Sequence, residues 1–307
     1  MKLSQTIARI KPWMLPIAML LGILLHDWIG HVAFLSKYLI FVMLLITFCR
    51  IKLTDLHLGR YIWSLLAVQT AGAVLAYLLL LPFGAIPAAG AFICILCPTA
   101  TAAPVITGML GGSIGKVATY SLISNVTVAV IAPPLLSWIG PMTGAGVTPD
   151  FSDSIMKIGI EVIPVILGPL AVAAFMQRFS PRAAQGFADH QSLSFYIWAI
   201  ALIIVVGNSV SFLLTEPAAM IPSIIVLALV SLAACALQFY LGRKIGARHG
   251  DRISGAQSLG QKNTVLAIWL SLTYLNPIIS AAPAAYVAWH NTFNSLQIYR
   301  HTRRTGA

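Results

Sequence analysis

Lys262 is the residue whose setting demands the most explanation. It lies inside an apolar run, between Gly260 and the stretch 265–270. An ammonium in hydrocarbon costs on the order of 3 kcal/mol, so the side chain must face a protein interior or water, and a functional role is the default expectation. The competing reading is snorkelling toward an interface, because the run begins near Arg252. His290 and Asn291 stand together deep in the last apolar run, after Ala288-Trp289. A buried histidine can be hydrogen-bonded packing, but the adjacent amide and the depth favour a site. Gln69 and Asn125 are isolated in their runs, each suited to an interhelical hydrogen bond or to a ligand. Glu161 is the acidic residue within a run, and Lys157 one turn earlier suits an interfacial pair. Cys94 and Cys97 form a C-x-x-C, but Pro98 follows inside an apolar run. With Cys49 and Cys235 they have no metal-ligand spacing and read as small buried filler. The chain carries no HExxH, nucleophile elbow or phosphate loop, so an enzyme is not expected.

Two apolar runs that carry these groups are interrupted. Run 86–111 holds Cys97-Pro98-Thr99-Ala100-Thr101-Ala102-Ala103-Pro104, and run 253–274 holds Gly255, then Ser258-Leu259-Gly260-Gln261-Lys262-Asn263-Thr264. Pro98 and Pro104 each remove a backbone donor and clash with the preceding turn. A single proline would suit a kink. Two prolines among small and hydroxyl residues predict an unwound stretch, whose freed carbonyls and amides must line a cavity or be buried in protein. Breaks at matching positions in two halves of a chain point to a binding site.

Composition sets the solvent. Apolar residues make up 59% of 307 positions and charged residues 9%, against roughly 25% charged in soluble domains. Such a chain cannot cover itself with polar surface, so the lipid bilayer is its partner. The net charge of +11 raises nucleic acid as a partner, but the basic residues lie between apolar runs, where they report topology instead. Ten runs suit spanning helices, near 12–27, 32–49, 61–81, 86–111, 116–139, 155–176, 192–214, 218–241, 253–274 and 278–298. With the N-terminus inside, the cytoplasmic segments gather Lys2, Arg9, Lys11, Arg50, Lys52, Arg60, Lys116, Arg178, Arg182, Arg243, Lys244, Arg248, Arg252, Arg300, Arg303 and Arg304. The opposite loops hold Asp27, Asp150, Asp153 and Glu216 and no basic residue. Both termini are therefore expected in the cytoplasm of a multi-pass, bacterial inner-membrane protein. No cleavable signal peptide is read, since the first run lacks a cleavage site before the second. Ten runs divide into halves at 1–140 and 141–307. An odd-numbered half inserts upside down relative to the other, so the expected fold is all-α, with two inverted five-helix repeats in one membrane bundle.

Cys97-Pro98 with Thr101-Ala102, Gly260 with Asn263, and Trp289-His290-Asn291 resemble the bile acid:sodium symporter family, with span order and spacing agreeing over nearly the whole chain. The resemblance implies discontinuous helices 4 and 9 crossing in a core domain beside a panel domain. It also implies symport of small organic anions such as bile acids, sulfated steroids and carboxylates, usually with sodium. Carried over by position, the substrate-facing residues are Thr101, Asn263, His290 and Asn291. Half-helix N-termini at the crossing would favour an anion. The implied sodium cages carry over poorly. A Ser-Asn pair is replaced by Ala103-Pro104. Val117 stands at one hydroxyl position, and Ser121 keeps another. Ser258 stands where the family has a shared glutamate, and Lys262 where it has a glutamine, while Gln69 is retained. Lys262 would then supply the charge that bound sodium supplies in the family, donating to carbonyls of the broken ninth span and to Gln69. No cofactor is expected, and transport is expected without sodium. A Lys262 that can lose its proton permits proton coupling, and a permanently charged one implies facilitated diffusion. The alternatives are sodium symport through rearranged ligands, a membrane enzyme, and a channel or binding scaffold.

Overall fold

The computed structural model describes residues 14–50, 59–100, 103–144, 151–215 and 218–305. Among these residues the protein is all-helical. The first helices are α1 (Met14–Leu24), α2 (His26–Ile29), α3 (Leu35–Arg50), α4 (Arg60–Leu80), α5 (Ala85–Leu96), α6 (Ala103–Met109) and α7 (Ile114–Ile139). They are followed by α8 (Phe151–Phe179), α9 (Pro181–Asp189), α10 (Gln191–Thr215), α11 (Ile221–Arg248), α12 (Arg252–Gly260), α13 (Thr264–Tyr274) and α14 (Ala281–Thr305). Three of the described helical segments are long and apolar enough to cross a membrane: Arg60–Phe83, Ile114–Ile139 and Ile221–Arg248. A fourth is added if His26–Val32 and Leu35–Ile46, bent by 73°, count as one span. Trp63, Leu79, Val130, Leu229 and Tyr240 stand exposed along those three segments, a surface that calls for an apolar solvent.

The breakers act where the sequence places them. Run 86–111 divides into α5 and α6 around Cys97–Pro98, and run 253–274 into α12 and α13 around Gln261–Asn263. Elsewhere the boundaries differ from those read in the sequence. α11 extends to Arg248, beyond the expected limit of 241, so Arg243, Lys244 and Arg248 ride its last turns, where cations favour the helix C-terminus. Segment 181–189, read as part of a connection, is the short helix α9, opened by Pro181 at its first position.

The two larger of three apolar clusters among the described residues organise the bundle. One joins α4, α5, α7, α11, α12, α13 and α14 through residues such as Tyr77, Phe92, Leu136, Leu227, Leu270 and Tyr286. The other joins α1, α3, α8 and α10 through Ala18, Leu44, Phe48, Ala173 and Leu202, and reaches across through Leu122, Val265, Ile268 and Val287. Close backbone approach fixes two of the helix pairs. A Cβ at Gly22 would meet the Ile203 carbonyl of α10, and one at Gly255 would overlap the Gly242 carbonyl of α11. Small residues at such crossings let helices pack where lipid supplies no hydrophobic drive. α11 turns into α12 at Gly250, whose φ of +74° suits glycine.

Candidate functional site

The site begins with a backbone problem at the end of α5. Pro98 has no N–H, so the Cys94 carbonyl loses its partner, and the helix end orphans the next three carbonyls. Each of these four finds a side chain from another element. Gln238 Nε2 of α11 donates to Cys94 O (3.2 Å). Lys262 Nζ donates to Ile95 O (2.8 Å). Gln69 Nε2 of α4 donates to Leu96 O (2.6 Å) and Cys97 O (3.2 Å). Gln69 is fixed in turn by the Tyr120 and Ser124 hydroxyls of α7, which donate to its Oε1 at 2.5 and 2.9 Å. A buried carbonyl without a donor costs roughly 1–3 kcal/mol, so this cap is a substantial part of what holds the break.

The two unwound segments meet as a short antiparallel bridge pairing Thr99 with Lys262. Ala100 N donates to Gln261 O (3.1 Å) and Asn263 N to Pro98 O (2.8 Å). The pattern is that of a non-hydrogen-bonded pair, so the Thr99 and Lys262 side chains share one face of the ribbon while Gln261 and Asn263 face the other. Each of the first two then donates to the opposite half-helix. Lys262 reaches Ile95 O of α5, and Thr99 Oγ1 reaches Ser258 O of α12 (2.6 Å). Tyr286 OH of α14 donates to Gly260 O (2.9 Å). Lys262 is 1% exposed, and among the described residues no carboxylate pairs with it.

Of the residues singled out in the sequence, Gln69, Ser121, Ser258, Lys262 and Asn263 converge on this crossing. Ser121 Oγ donates to Thr99 O at a long 3.4 Å, and Ser258 Oγ shares a 3.3 Å hydrogen bond with Tyr61 OH. Asn263 caps α13, its Oδ1 accepting from Leu266 N (3.2 Å), while its Nδ2 is buried without a partner. His290, also 1% exposed, stands edge-on to Tyr286 with Nδ1 unpartnered. Asn291 turns back to its own helix, donating to Val287 O. His290 and Asn291 thus sit on α14 beside the crossing rather than within its hydrogen-bond network. Thr101 lies outside the described residues, as do the side chains of Lys157 and Glu161. The expectation that Lys262 serves the broken ninth span and Gln69 is corrected in detail: its acceptor belongs to the fourth run, and Gln69 serves the neighbouring carbonyls. Asn125 donates within its own helix to Ser121 O. All four cysteines are free and buried. Tyr120, Ser124, Gln238 and Tyr286 were missed. The legible signal was a polar atom inside an apolar run, the same one that marked Gln69.

The donor set does not fit sodium, which takes several oxygen ligands. The carbonyls at the end of α5 already accept from the Lys262 side chain and two amides. Ser258 offers a hydroxyl and no charge, and a protonated Lys262 would repel a neighbouring cation strongly at low effective dielectric. No protein-family model matches the chain, and no curated protein matches it.

Proposed function

We propose that this chain is a secondary carrier for a small organic anion, working by alternating access and without sodium. The observation that carries the reading is Lys262. A fully buried lysine side chain with no carboxylate partner among the described residues fastens two broken helices together at their crossing. In carriers, paired discontinuous helices mark the binding site, and their half-helix N-termini favour an anion. The Asn263 amide and the His290 ring, each buried with an unpartnered nitrogen, are the polar groups we assign to substrate, with Asn291 and Thr101 added by the resemblance to bile acid:sodium symporters.

The same reading takes the bundle as ten spans in two inverted halves, 1–140 and 141–307, with both termini in the cytoplasm of an inner membrane. Reciprocal packing supports it. α1 packs on α10 and α3 packs on α8, so the first helix of each half meets the second helix of the other. α4 packs on α5 as α11 packs on α12. The cluster around α1, α3, α8 and α10 corresponds to a panel, and the cluster around the crossing to a core. Flux into proteoliposomes tests the function. A panel of radiolabelled carboxylates and sulfonates, pyruvate and taurocholate among them, is offered in sodium and in choline. Uptake of at least one anion at equal rates in both media is the expected result. Uptake that requires sodium, or none across the panel, counts against the reading.

A further inference from the structure

Resting on the carrier reading, we infer that the substrate contact at His290 extends along a polar region formed with Asn294, Gln257, Gln261 and Gln297, between α12 and the middle of α14. The Gln257–Gln297 hydrogen bond is its latch. Lys262 and Thr99 occupy one face of the ribbon, so Gln261 projects from the other, away from the α5 cap. There its Nε2 donates to Gln257 Oε1, and Gln257 Nε2 donates to Gln297 Oε1 of α14 at 3.1 Å. Gln257 and Gln261 are 0% and 3% exposed, whereas Gln297 is only half-buried. Three amides thus lead from the buried crossing to a half-exposed position on α14.

The facing surface of α14 completes the region. Tyr286, His290, Asn294 and Gln297 recur at helical spacing on one side of that helix. Its two ends are tied to α12, by Tyr286 OH on Gly260 O and by Gln297 on Gln257. Between the ties stand His290 and Asn294, the latter 4% exposed, with His290 Nδ1 and Asn294 Oδ1 buried and unpartnered. Buried polar atoms are nearly always satisfied, and a helix in lipid has no solvent to satisfy them. A row of such atoms that ends in a half-exposed amide suits a polar guest that arrives when the latch opens. An apolar lining would serve packing equally well without stranding these atoms.

Single cysteines at Gln297 and Asn294 test this in inside-out vesicles, using a membrane-impermeant anionic thiosulfonate. The native chain, whose cysteines are buried, sets the background. Gln297→Cys should label readily and Asn294→Cys slowly. Adding Gln297→Ala should speed labelling at Asn294→Cys about tenfold, the scale of one lost hydrogen bond. His290→Cys is read in the same way should Asn294→Cys fail to insert. If Asn294→Cys and His290→Cys stay at background even with Gln297→Ala, while Gln297→Cys labels, the region is dry packing and the inference is wrong. Labelling is independent of uptake. Labelling without flux of any tested anion would retire the carrier reading and with it the substrate contact, leaving only an accessible polar cleft, and flux without labelling would keep the carrier reading and overturn the polar region.

Discussion

Gln69 bears more of the crossing than its single amide suggests. It donates to two carbonyls and accepts from two hydroxyls, so all four of its contacts are with groups buried at the break. Gln69→Leu keeps the volume and strands Leu96 O, Cys97 O, Tyr120 OH and Ser124 Oγ. At roughly 1–3 kcal/mol for each stranded group, with part recovered by rearrangement, the expected loss is on the order of 3 kcal/mol. A thermal melt in detergent checks this, and a melting temperature unchanged from the native chain would show the cap to be dispensable. The resemblance adds a second residue-scale prediction. Ser258→Glu with Lys262→Gln restores the acidic and amide pattern implied at the crossing. That double variant should gain stabilisation by sodium over choline, which neither single variant should show. Much of this chemistry was legible, because a lysine, a glutamine or a histidine inside an apolar run has few places to go. Its partners were not legible. A backbone carbonyl carries no side-chain signature, so Ile95 as the acceptor of Lys262 and Cys94 as the acceptor of Gln238 emerge only once the helices are packed.

The helix ends and crossings belong to the next scale. α12 is capped by Asp251, whose carboxylate accepts from Ser254 N, Ser254 Oγ and Ser113 N, with Lys116 Nζ at 3.9 Å. Burial alone would raise this carboxyl, but those donors and the Lys116 charge outweigh it and hold it below its usual range. A depressed folded value contributes stability that is present above the unfolded carboxylate range, near pH 4, and is lost as pH falls through the folded value. Asp251→Ala should therefore cost about 1–2 kcal/mol at neutral pH. The gap to the native chain should close on acidification below about pH 4. Melts across that range decide it, and a gap that persists in acid would assign the effect to packing. At the α11–α12 crossing, Gly255→Val places a branched side chain against the Gly242 carbonyl. The expected cost is about 1–3 kcal/mol, from forced separation of the two helices. The breaks in the two runs were legible from Pro98 and Pro104 in one and from Gly255 and the polar stretch around Gly260 in the other. The bend between α2 and α3 and the helix at 181–189 were not. Both lie in mixed polar and apolar sequence where the helical period is short-lived and tertiary packing decides.

For the whole molecule, lipid was the most legible feature, because composition depends on no boundary. The orientation was read from the basic residues alone, and it yields a direct check. Met142 stands exposed beyond α7, and Arg182 is exposed on α9. Cysteines at these two positions should label from opposite sides of sealed membranes. Labelling from one side would overturn the ten-span arrangement. The central claim is that the Lys262 ammonium takes the place of bound sodium in fastening the crossing, and the measurement that meets it most directly is thermal stability in sodium and in choline for the native chain and for Lys262→Gln, paired with anion uptake. The native melting temperature should be the same in both salts, and Lys262→Gln should lose uptake that sodium does not rescue. A native protein whose melting temperature rises with sodium, and whose uptake steepens with it, would contradict the account.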